Sequence, residues 1–385
     1  MDYVKTLSGL IAIDTTVPPG NNYYIALEYL IPFFKEAGVE TELVDIPPEH
    51  CEGRHGRVAL IGHRKASGKP RLIFYGHADV VPAEGWPAFE PRIQDGKMFG
   101  RGSADMKGGI IGLIIGLTKV KDQTLNYDVS VMITTDEELS QSRQIRYLEQ
   151  YLEPVKGSTV WSLDSNTGGV AIAGLGALQM DIKIKGNSVH SGLSHLGVNA
   201  VEQAVRVMDA LLQLKSNLTL KKSSIPAHPD TGLKYMEPRL NINMVHGGLK
   251  ANIVPDECVI TVDRRLIPEE NLDEADHEIR ELLGRFKDVE WEISYGLRVP
   301  TVPPAGGPAV ERLESLIKKV TGSTGQFGEM GSGDMGIIVH DEWQGEDLGF
   351  GVIRTECNIH GKNEFVYLKD VEDLGEIVAR YLTES

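Results

Sequence analysis

Several short stretches of this 385-residue sequence end in side chains that bind cations or move protons. "FYGHAD" delivers His77 and Asp79, "GRGSADMKGG" places Asp105 in a Gly-rich turn, and "TTDEE" carries Glu137 and Glu138. "WSLD" ends on Asp164, and "ECNIHGKNE" holds His360. Imidazoles together with carboxylates form an oxygen and nitrogen donor set suited to zinc, cobalt or manganese, whereas an iron–sulfur cluster would need thiolates. Acids gathered this densely repel unless cations lie between them. One ion is expected among His77, Asp105 and Asp164, and a second among Asp105, Glu138 and His360, with Asp105 bridging. That arrangement leaves room for a water whose proton affinity two cations lower toward neutrality. Asp79, on the same face of a strand as His77, is expected to orient the imidazole. Glu137 and Glu138, as neighbours on an extended segment, point apart, so Glu138 is expected to bind metal while Glu137 faces the water as general base.

Each stretch alone has a plainer reading. "DEE" can be a solvated turn, Asp164 a turn cap, and Cys357 a buried neighbour of the site rather than a soft ligand. His63 and His246 receive no role. The argument rests on separate segments that all end in a ligand type where one fold would make them converge.

That fold is α/β. "RVALIG", "RLIFYGH", "DVSVMITTDEE" and "STVWSLD" read as strands, alternating with helices over residues 22–37, 108–120 and 142–152. Continuous apolar runs between helices predict a mostly parallel sheet covered on both faces, which binds ligands at the carboxyl ends of its strands. From Gly176 the texture changes: "ALQMDIKIKG" and "CVITVDRRLIP" alternate apolar with polar residues, as half-buried antiparallel strands do. Residues 176–298 are therefore expected to form a smaller inserted α+β domain, with residues 1–175 and 299–385 forming the larger, metal-binding one.

The length alone favours two domains. A formal net charge of -16 argues against a nucleic-acid partner, because tracking phosphates needs clustered Lys and Arg. "GGIIGLIIGLTKV" is too short for a membrane span and reads as a core helix. Cys51, Cys258 and Cys357 are odd in number and form no CxxC pair. With an N-terminus unlike a signal peptide, this predicts a cytoplasmic protein.

In order, "GHADVVP", "GRGSADMKGG", "TTDEE", "VHSGLSHLGVNA" and "ANIVPDECVITVDRRLIP" resemble the dinuclear zinc deacylase and exopeptidase family, over nearly the whole chain. The resemblance implies a zinc-exopeptidase-like catalytic domain with two zinc ions and a lid domain that dimerises. It makes His77, Asp105, Glu138, Asp164 and His360 the metal ligands, Glu137 the catalytic acid/base, and Asp79 the partner of His77. It gives His190 to the oxyanion, a role that an imidazole N–H can fill. It assigns Asn252, Arg265 and Asp334 to substrate binding, with Arg264 as the alternative guanidinium. It also implies a cis Asp105–Met106 peptide. Two positions depart from the pattern. Asp164 stands where the deacylases have Glu, as in dipeptidase members, and Met335 and Gly336 follow Asp334 where succinyl-specific enzymes have an Arg.

The expected function is metal-dependent hydrolysis of the amide bond of an N-acyl amino acid, as in acetylornithine deacetylase or succinyl-diaminopimelate desuccinylase, within amino-acid metabolism. A dipeptidase or carboxypeptidase of the same family is the alternative, and a non-catalytic dimeric binding module is the third reading. Two divalent ions, a small N-acyl amino acid or dipeptide, and a second copy of the chain are the expected partners, with no nucleic acid and no membrane.

Overall fold

The computed structural model describes residues 1–139 and 142–384, without the side chains of Ser142 and Asp334. The chain divides into two compact units: Met1–Ile172 with Ala305–Phe327 and Asp334–Ser385, and Ala173–Pro304 with Gly328–Gly333. These bounds differ from the sequence-based ones where the chain leaves and re-enters the larger unit. Residues 328–333 also join the smaller unit, in part because Leu175 N–H bonds Gly331 O and Glu329 N–H bonds Ala173 O.

The larger unit is a mixed sheet of eight strands flanked by helices. In space the strands run Glu40–Ile46, Arg57–Arg64, Asp128–Thr134, Arg71–His77, Thr159–Ser162, Glu346–Gly349, Val170–Ala173 and Gln326–Gly328. The middle of the sheet is parallel, and antiparallel pairs lie toward its margins. Arg71–His77 is buried from Leu72 onward, as a strand covered on both faces must be. Its register decides the position of the site. His77 pairs with Thr134 and Tyr75 with Ser162, so three adjacent parallel strands end at the same level.

The apolar segment at Gly108 is the core helix Gly108–Lys119, buried over most of its length. It packs on Leu368–Thr383 so closely that a Cβ at Gly112 would lie 2.6 Å from Leu374 and one at Gly116 2.5 Å from Val378. No helix among the described residues is long and apolar enough to cross a membrane.

The smaller unit is an antiparallel sheet in the order Arg239–Gly247, Glu257–Leu266, Gly176–Lys185, Glu290–Val299. Alternation does its work here: Leu178, Met180, Ile182 and Ile184 point into a core shared with the helices Ala200–Leu218 and Leu272–Leu283. Asn199 and Asn271 start those helices, each side chain accepting two backbone N–H groups.

Candidate metal centre

His77 closes its strand with a fully buried ring. Its Nδ1 lies 3.2 Å from the backbone oxygen of Asp79 and 3.4 Å from Asp79 Oδ1, both acceptors, so in the neutral ring Nδ1 carries the proton. Nε2 is left with a lone pair and no hydrogen-bond partner. It faces Asp105 Oδ1 at 3.3 Å, Asp164 Oδ2 at 3.7 Å and Glu137 Oε2 at 4.0 Å. The other oxygen of Asp105 lies 3.1 Å from His360 Nε2, which is also 3.1 Å from Glu138 Oε2. Two ligand groups result, His77 with Asp105 and Asp164, and Asp105 with Glu138 and His360; in each the donor atoms lie within 4.8 Å of one another.

A divalent ion fits this geometry. Tetrahedral ligands at about 2.0–2.2 Å from zinc stand roughly 3.3–3.6 Å apart, close to the separations seen. A buried imidazole nitrogen that has no hydrogen-bond partner and faces carboxylates is also the mark of a cation ligand. The donors are oxygen and nitrogen alone, which suits zinc, cobalt or manganese.

Without a cation the charges act on one another strongly. Hydrogen bonds to Asp105 and Glu138 raise His360 to about 10. For His77, burial favours the neutral ring, but the Asp105 and Asp79 carboxylates beside it outweigh that and push the pKa well above the usual histidine range. Burial would raise Asp105, yet the two imidazoles hold it below the normal carboxylate range. Glu137 moves the other way: burial lifts it to about 8, against the pull of His77 and with the push of Glu138, Asp79 and Asp105.

The acidic pair does not lie on the strand that the sequence suggests. The strand Asp128–Thr134 stops short of it, and Glu137 and Glu138 occupy a turn. Strand alternation therefore does not aim them. Asp136 does, with a left-handed φ of 76°. Its buried carboxylate takes Tyr23 Oη–H at 2.8 Å and the Nε–H groups of Arg54 and Arg57, each at 2.7 Å. Sequence reasoning passed over this clamp, and over Glu364, whose carboxylate binds the turn that carries Asp105. The Asp105–Met106 peptide is cis.

In the smaller unit His190 and Asn252 are brought together by backbone pairing: His190 bridges Ile253, and Ser191 N–H bonds Asn252 O at 3.1 Å. His190 is exposed, and its Nδ1 accepts the Gly192 N–H at 3.1 Å, so the neutral ring carries its proton on Nε2 as a free donor. Arg265 is held by Asp263, Nε to Oδ1 at 2.8 Å and Nη2 to Oδ2 at 3.0 Å, and Nη1 donates to Ser332 Oγ at 3.0 Å. Arg264 is 1% exposed and bound to Glu270, which leaves Arg265 as the guanidinium that still reaches solvent. The side chain of Asp334 lies outside the described residues.

Known proteins resemble this chain over most of its length. The model of peptidase family M20/M25/M40 matches residues 73–384. The succinyl-diaminopimelate desuccinylase of Marinobacter nauticus is 27% identical over 351 residues, spanning 86% of this chain and 88% of that protein. The acetylornithine deacetylase of Vibrio campbellii is 31% identical over 299 residues, 75% of this chain and 73% of the relative. An M20 family metallo-carboxypeptidase from Sulfolobus solfataricus superposes with a TM-score of 0.79 at 17% identity, covering 99% of this chain and 98% of its own. With most of its length matched, from the strand that delivers His77 to the last helix, the chain belongs to peptidase family M20/M25/M40 and is a hydrolase of the peptidase and amidohydrolase kind.

Proposed function

We propose that this protein cleaves the amide bond of an N-acyl amino acid, in the manner of the acetylornithine and succinyl-diaminopimelate enzymes to which it is similar, with two divalent ions, zinc first among them. One observation carries the reading: a carboxylate with both oxygens engaged, Asp105, joins two ligand groups, and Glu137 lies beside them outside either group.

The ions, when bound, supply polarisation of the scissile carbonyl and a lowered proton affinity for water. The protein's own residues do the rest. Glu137 accepts the proton of the attacking water, holds it in a half-buried setting among other carboxylates that favours the protonated acid, and returns it to the leaving nitrogen. Asp79 fixes the tautomer of His77. His190 offers its Nε2–H to the carbonyl oxygen as charge develops there. Arg265, oriented by Asp263, meets the substrate carboxylate as a planar fork, with Asn252 and Asp334 in the same substrate-binding role.

A dipeptidase or carboxypeptidase activity is the second reading, favoured by Asp164 in place of Glu and by the absence of an Arg after Asp334. Screening the zinc-loaded protein against acetylornithine, succinyl-diaminopimelate, other N-acyl amino acids and a dipeptide panel decides between them. Glu137→Ala is expected to abolish turnover while metal is retained. An active variant contradicts the mechanism.

The smaller unit also fits self-association. Its edge strand Arg239–Gly247 exposes Met244 and Val245, and the helix Ala200–Leu218 exposes Val205 and Leu212. An unpaired edge with apolar side chains invites a second copy, and a homodimer through this unit follows. Three buried, unpaired cysteines suit the cytoplasm.

A further inference from the structure

The segment that presents His360 is conformationally expensive. Asn358, His360 and Asn363 all have left-handed φ values, 56°, 61° and 58°. Asn adopts that region readily, whereas His does so only where its surroundings hold it. The next residue is the fully buried Glu364.

Glu364 is bound to the turn that carries Asp105 by five hydrogen bonds. Its backbone oxygen accepts Gly100 N–H at 2.9 Å. Its Oε2 accepts Arg101 Nη1–H at 2.7 Å and Gly102 N–H at 2.9 Å, and its Oε1 accepts Ala104 N–H at 3.0 Å and Asp105 N–H at 3.2 Å. Four residues before it, His360 Nε2 stands 3.1 Å from Asp105 Oδ2. Asp105 and His360 are far apart in sequence, and this one side chain joins the turns that bear them.

We propose that Glu364 is a positioning residue for the metal pair: by gripping residues 100–105 it sets the spacing between Asp105 and His360. The inference rests on the metal-binding reading above. A carboxylate is needed because only it has acceptor sites for all four side-chain bonds; a Gln turns an NH2 toward donors on one side and leaves buried N–H groups unmatched. The disturbance falls mainly on the site that contains both Asp105 and His360. The His77, Asp105 and Asp164 site keeps its other ligands on strand ends that Glu364 does not touch.

The test is calorimetric titration of metal-free protein with zinc, for wild type, Glu364→Gln, His360→Ala and the double variant, with thermal unfolding of each as the folding control. Wild type should take up about two ions per chain. Glu364→Gln should lose about 10- to 100-fold in affinity for one ion while the other is held as before. In the His360→Ala background, Glu364→Gln should cost nothing further, because the two changes act on the same site. If Glu364→Gln does not fold, Glu364→Asp, which keeps the charge on a shorter arm, should show a smaller loss at the same site. Unchanged affinity for both ions in a folded variant overturns the inference, as does an equal loss at both, the mark of general loosening. A wild-type chain that binds no zinc overturns the metal reading beneath it, a distinct result.

Discussion

Asp79 Oδ2 accepts the backbone N–H of Glu138 at 3.1 Å. The residue expected only to orient His77 thus also ties the end of one strand to the turn that follows the next. Asp79→Ala should weaken zinc binding by about 10- to 100-fold and lower kcat. Asp79→Asn keeps an acceptor for the Glu138 N–H and should lose less. Zinc titration of the two variants checks the order; equal losses would mean that the bond to Glu138 contributes nothing.

The Asp136 clamp should appear in stability. Removing one partner of a buried ion pair leaves the other charged and unmatched, at a cost of about 3–5 kcal/mol. Asp136 and Arg57 are both buried, so Asp136→Ala should destabilise by about that amount. Adding Arg57→Met should recover part of it, since the more buried of the two stranded guanidiniums is then gone. Denaturant melts of the single and double variants measure this, and a strictly additive loss would contradict the clamp.

Metal uptake should release protons. In the metal-free chain His360 titrates at about 10, above its ordinary 6.5. Its protonated form therefore stabilises that state fully below 6.5, and the contribution is lost as pH rises through about 10. A metal ion must displace this proton, so zinc affinity should rise with pH across the neutral range. Calorimetry in two buffers of different ionisation heat should show net proton release on zinc binding; identical heats would contradict the ligand role of His360.

Much of this was legible in the sequence because parallel strands announce themselves as apolar runs, and the residues just past their ends must meet at one level. His77, Asp164 and the acidic pair follow from that rule. The texture change at Gly176 marked the second unit for a similar reason. Asp136 and Glu364 were not legible. Both are acids whose partners, Tyr23, Arg54 and Arg57 in one case and Arg101 with three backbone N–H groups in the other, come from distant segments. Nothing local separates them from the solvated acids of an ordinary turn. The reason for the aim of Glu137 and Glu138 was not legible either: strand alternation stops at Thr134, and the pair sits in a turn that follows one left-handed residue, Asp136.

Self-association through the smaller unit is tested at its edge. Val245→Lys places a charge on the exposed apolar strand and should convert a dimer to a monomer in sedimentation experiments, with little change in the melt. A dimer that survives the charge would move the contact elsewhere.

Elemental analysis of the zinc-reconstituted, desalted protein bears most directly on whether these acids and imidazoles hold a metal pair. About two ions per chain are expected, falling to about one in His360→Ala, which leaves the His77, Asp105 and Asp164 group intact. A folded wild-type chain that retains no metal would contradict it.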